Sequence, residues 1–241
     1  MKDKMINDPV LFRQLLEEST PLFNMIFAQD IQTMDRSNLD DPKNYFVSEL
    51  YNYYSSSITV LEYHSNNINL VKTSDFKELF YPLIRRLLES YFRIIFLFDD
   101  TNKTDARFES YLKYIELQYE KMLKDLTDFN YPVKGLHPAT NNFAAADTWP
   151  DLRSMLSMLT NDNGDQLAFL YGVYRTLSFY SHGSAHRTTM DIVFPTAAQG
   201  VQNFPTVEIP RILQLIANHY LVLIYGFWPD IKLRHNIKTS M

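Results

Sequence analysis

Apolar residues return at helical intervals along most of this chain. From Tyr45 to about Leu70 they recur at 46, 50, 53, 54, 58 and 61, spacings of three, four and seven that keep one stripe on one side of a helix and do not fit strand alternation. Asp8-Pro9 opens an earlier helix to about Ala28, with Asp as cap and Pro in the first turn. Pro21 lies inside that pattern and predicts a break or kink near Thr20. Asp35 to Asn44 reads as a polar loop. Ser74-Asp75 starts a helix through Phe98 that is apolar nearly all round, which predicts a central position, with Pro82 as a kink. A helix with a charged outer face follows from about Asp105 to Phe129, then a long loop over Tyr131 to Thr148. Trp149-Pro150-Asp151 begins a short helix to about Leu159. Two further helices are predicted, from Asp165 to His182 and from Glu208 to Trp228, separated by the Pro- and Gly-bearing loop that ends at Pro210.

These elements predict an all-α fold, an irregular bundle of six or seven helices in one domain over residues 1–241. Residues 1–44 read as a helical appendage, 45–228 as the core bundle with the 75–98 and 165–182 helices at its centre, and 229–241 as a polar tail. Composition agrees with this reading: 46% hydrophobic residues fill a large core, and 6 glycines in 241 residues are few for a chain of strands and tight turns. The absence of cysteine removes disulfides, thiolate metal sites and cysteine nucleophiles. No apolar run follows the charged N-terminus, and neither long apolar stretch is an uninterrupted span, so a cytoplasmic protein without membrane segments is expected. A net charge of −5 argues against indiscriminate coating of nucleic acid while leaving room for a local basic pocket.

Candidate chemistry gathers in Tyr171 to Arg187. Arg175 and His182 are seven apart and share a helical stripe, about 10 Å apart along the axis, so one phosphate can lie between them. An arginine fork and an imidazole suit metal-independent RNA cleavage, in which a base activates the ribose 2′-hydroxyl and cations stabilise the phosphate oxygens. Ser178 and Tyr180 are placed to orient a substrate, and Arg86, Tyr180 and His186 to bind it, with Arg93 extending the Arg86 stripe. Arg85 and Glu89, four apart on the apolar helix, predict a buried ion pair that fixes register. His182 and His186 have the spacing of a zinc pair, but Gly183 interrupts the helix and no third ligand is signposted beyond Asp191, so no metal and no cofactor is expected.

An arginine, a short spacer and a histidine on a late helix resemble the motif of the HEPN superfamily (higher eukaryotes and prokaryotes nucleotide-binding domains). Arg175 and His182 match its two ends; Thr176 stands where that motif usually carries Asn. The chain also resembles an uncharacterised family of bacterial helical proteins that pairs Arg-x-x-x-Glu with Ser-x-x-x-His, here Arg85 and Glu89 with Ser178 and His182. The resemblance implies a HEPN-like core and a homodimeric, metal-independent ribonuclease of a toxin or phage-defence system, acting on RNA and accompanied by an antitoxin or defence partner. Catalytically silent members also exist, so a non-catalytic interaction or dimerisation module is the competing expectation.

Overall fold

The computed structural model describes residues 9–66, 74–132, 149–159, 164–181 and 208–235, and within these the side chains of 19–61, 81–132, 149–159, 166–178 and 209–235. Over these residues the protein is all-α, with no strand. Among the described residues there are eight α-helices: α1 Pro9–Gln29, α2 Pro42–Asn66, α3 Ser74–Phe98, α4 Thr104–Asp128, α5 Leu152–Ser157, α6 Gly164–Ser181, α7 Glu208–Phe227 and α8 Pro229–Arg234. A 3₁₀ turn, Ile31–Thr33, follows α1.

Local chemistry sets several helix starts. Asp41 Oδ1 accepts the amide N–H groups of Lys43 and Asn44 at 2.9 and 3.0 Å, and Pro42 supplies a first-turn residue that has no N–H to satisfy. Helix α2 therefore begins inside the stretch read as loop. Asp151 does the same for α5, accepting the Ser154 amide at 2.7 Å, and that bond holds its carboxyl below the usual range. Pro21 does not break α1, nor Pro82 α3. Both rings lie on exposed faces, and the apolar residues that follow them, Phe23, Ile26 and Phe27 in α1 and Ile84, Leu87 and Leu88 in α3, are buried.

Helix α7 is the axis of the core. Ile209, Ile212, Leu213, Ile216, Ala217, Tyr220, Leu221 and Ile224 are all buried, against α1 on one side and α2 and α3 on others. Fully burying such a side chain contributes about 1.5–3 kcal/mol, so this helix and α3 dominate the hydrophobic stabilisation. Helix α1 is no appendage: Phe23, Ile26 and Phe27 belong to the same core, and Phe23 meets Tyr53 and Tyr220 ring to ring. The buried Tyr53 hydroxyl donates to the Leu213 carbonyl at 2.6 Å, tying α2 to α7.

Two further expectations are corrected. Helix α6 was expected at the centre beside α3, but among its described side chains only the stripe Leu167, Leu170, Val173 and Leu177 is buried, and the helix packs on the outside of α3. The polar tail folds over its first residues: α8 buries Ile231, and Asp30 at the end of α1 receives His235 Nε2 at 2.6 Å and Arg234 Nη2 at 2.7 Å. The Asp30 side chain is 6% exposed, and its carboxylate is met by Arg234 and His235, about 200 residues later in the sequence. No helix among the described residues is long and apolar enough to cross a membrane.

Candidate functional site

The seam between α3 and α6 joins one residue of each short motif. Arg85 Nε donates to Ser178 Oγ at 3.1 Å, across 93 residues of sequence. The same guanidinium places Nη2 3.7 Å from Glu89 Oε2, one turn further along α3, and its carbon lies 5.9 Å from the ring centre of Tyr174. Arg85 is thus held from three directions by a hydroxyl, a carboxylate and an aromatic face. The helices set this up: Leu170, Val173 and Leu177 bury one side of α6, which turns Tyr174 and Ser178 onto its border with α3.

The Arg85–Glu89 pair departs from expectation in one respect. The side chains are 24% and 36% exposed, so the pair sits at the rim of the bundle instead of inside it. Helix α3 is buried through Leu87, Leu88, Tyr91 and Phe92, leaving Arg85, Arg86 and Glu89 on its open side. A rim position keeps the guanidinium within reach of solvent and of an anion.

Arg86 and Arg175 are both exposed, each next in sequence or one turn away from a member of the seam. Arg175 is exposed one turn before the half-buried Ser178 on α6. Thr176, in the place of the usual Asn, turns its hydroxyl back on its own helix and donates to the Gly172 carbonyl at 3.0 Å. His182 and His186 lie outside the described residues, as does the side chain of Tyr180. Among the described residues no group of three histidines or carboxylates is placed to hold a metal ion.

A second polar cluster lies further along α3. Arg93 Nη1 donates to the Tyr111 hydroxyl at 3.1 Å, and the Tyr45 hydroxyl bonds to the same oxygen at 3.2 Å. Beside them, Glu49 accepts from the Ser90 hydroxyl and, at 3.1 Å, from Asn52 Nδ2. Burial and the nearby Glu49 push the Tyr45 phenol well above its usual range, so it stays protonated. Helical spacing puts Arg93 on the Arg86 stripe, but does not identify its partners. The spacing of Arg86, Ser90 and Arg93 on a helix otherwise apolar was the available signal; Tyr45 and Tyr111 arrive from two other helices and carry none.

No family model matches this chain, and no curated protein or solved structure matches it either. The resemblances drawn above rest on their quoted residues alone.

Proposed function

We propose that the α3–α6 seam is the site of a metal-independent endoribonuclease of the toxin or phage-defence kind. The observation that carries this reading is the 3.1 Å bond from Arg85 to Ser178, which brings the first residue of the Arg-x-x-x-Glu pair to the first residue of the Ser-x-x-x-His pair.

In this reading His182, four residues after Ser178, takes the proton of a ribose 2′-hydroxyl. The 2′-oxygen attacks phosphorus, the bond from phosphorus to the 5′-oxygen breaks, and the leaving 5′-hydroxyl gains a proton. The products are a 2′,3′-cyclic phosphate and a free 5′-hydroxyl. Arg85, oriented by Ser178 and Glu89, and the exposed Arg175 meet the charge that grows on the phosphate oxygens. The experiment is incubation of end-labelled single-stranded RNA with purified protein in chelator. Cleavage to cyclic-phosphate ends, lost by roughly 10²–10⁴-fold in His182→Ala, is expected. RNA left intact by the wild-type protein overturns the reading.

A second reading, a homodimerisation module without catalysis, is favoured by α4. Ile115 and Met122 are each 43% exposed and Phe129, just past the helix end, is 85% exposed, at intervals of seven residues. That repeat is the one by which like helices pack together, so the partner in this reading is a second copy of the chain. Sedimentation of a dimer that Met122→Glu converts to monomer supports it, and a wild-type monomer at micromolar concentration rejects it.

A further inference from the structure

The cluster around Arg93 has more hydrogen-bond donors than acceptors. Tyr111 Oη accepts from Arg93 at 3.1 Å and pairs with Tyr45 Oη at 3.2 Å. Whichever phenol donates in that pair, the other phenolic proton has no acceptor among the described residues. Arg93 is half-buried and lies 5.3 Å from the centre of the Tyr111 ring, yet no carboxylate among the described residues stands within ion-pair distance of it. Glu49, the nearest acid to act on it, has one oxygen occupied by Ser90 and the other by Asn52. A guanidinium taken partly out of water, bonded to phenolic hydroxyls and with Glu49 near but beyond ion-pair distance, is stabilised further when an anion completes it.

The position of this cluster matters as much as its chemistry. Arg86 and Arg93 are seven apart on α3, so they share one stripe, and Arg93 lies about 12 Å along the helix from Arg85 at ~1.5 Å per residue. One stripe of α3 therefore runs from the Arg85–Ser178 seam, past exposed Arg86, to the half-buried Arg93 at its border with α2 and α4. Glu89 interrupts this path, but its charge is already turned toward Arg85.

We propose that Arg93, Tyr111 and Tyr45 form a second anion subsite that receives a phosphate oxygen, with the guanidinium supplying charge and the phenols supplying O–H donors. Its occupant is a phosphate of the strand whose scissile bond lies at the α3–α6 seam, so in this respect the inference rests on the function proposed above. A free phosphate or mononucleotide offers the same chemistry, and a strand is distinguished from these by length: a dinucleotide is too short to reach both sites.

Binding is measured by fluorescence anisotropy with a labelled hexauridylate and a labelled diuridylate, using His182→Ala protein to prevent turnover. Arg93→Gln is expected to weaken the hexamer about tenfold, to lower the magnitude of its salt slope by about 0.7, as for one lost single-strand phosphate contact, and to leave the dimer unaffected. Tyr111→Phe, which keeps the buried ring, is expected to weaken the hexamer severalfold with an unchanged circular dichroism spectrum. Unchanged hexamer affinity and salt slope in both variants overturns the subsite even if the wild-type protein cleaves RNA. If neither oligonucleotide binds, the strand is wrong. The anion site is then decided by inorganic phosphate, which must raise the melting temperature of wild-type protein and not of Arg93→Gln; equal shifts overturn it.

Discussion

Tyr91 and His219 lie ring against ring at the junction of α3 and α7, planes 14° apart, with the phenol bonded to His219 Nδ1. The other imidazole nitrogen is buried and has no hydrogen-bond partner among the described residues. Burial lowers the His219 pKa from 6.5 to about 4, so the folded protein holds this imidazole neutral. The unfolded chain takes up a proton between those values that the folded chain refuses. Stability from this residue is complete above about pH 6.5 and declines as pH falls toward 4. Between pH 7 and 5.5 the decline should be about 1 kcal/mol, above the range where carboxylates dominate. Urea unfolding of wild type and His219→Leu at those two pH values checks this: the variant should lose less over the interval, whatever its absolute stability, and parallel losses would exclude His219 as the cause.

Asp99 and Arg107 pin the start of α4 to the end of α3. The Asp99 side chain is 1% exposed and Arg107 11%; Arg107 also donates to the Phe96 carbonyl and lies 4.3 Å over the Phe96 ring. Asp99→Ala leaves that guanidinium without its carboxylate in a nearly dry site, and should destabilise the protein by about 3–5 kcal/mol. A melting temperature within a degree of wild type would mean that water replaces the carboxylate.

Asp30 holds α8 through His235 and Arg234. The Arg234 side chain is 62% exposed and rehydrates easily, whereas His235 is 10% exposed, so Asp30→Ala should cost about 1–3 kcal/mol, mostly through the imidazole. Hydrogen exchange of the amides from Ile231 to His235 should accelerate in the variant. Unchanged protection there would show that Ile231 packing alone secures the helix.

Much of this fold is legible because it is local. Ser74 to Phe98 announces itself by a capping Ser-Asp and near-continuous apolarity, and α3 has those bounds. Helix α8 is six residues with one buried apolar side chain, too short for any periodicity, and the contact that secures it joins Asp30 to His235. Pro21 misleads because its local penalty is outweighed by the burial of Phe23, Ile26 and Phe27, which only the tertiary structure reveals. The site divides the same way. Four-residue spacings correctly pair Arg85 with Glu89, but nothing in one sequence brings Ser178 to Arg85, or Tyr45 and Tyr111 to Arg93.

The exposure of the Arg85–Glu89 pair changes what its disruption should do. A buried pair would lose about 3–5 kcal/mol when one partner is removed, whereas a half-exposed pair at 3.7 Å is worth no more than about 1 kcal/mol. Glu89→Ala should therefore melt close to wild type, because Arg85 keeps its bond to Ser178 and turns its other donors to water. Its effect belongs to orientation. Without Glu89 the guanidinium has one fixed bond instead of two, and if Arg85 meets a phosphate in the transition state, cleavage of single-stranded RNA should fall about tenfold through kcat with KM little changed. Arg85→Lys should fall further, since an ammonium cannot address Ser178, Glu89 and a phosphate from one planar fork. If Glu89→Ala instead loses several kcal/mol of stability, the rim geometry of α3 is wrong. If it retains both stability and full cleavage, Arg85 does not act on the reacting phosphate.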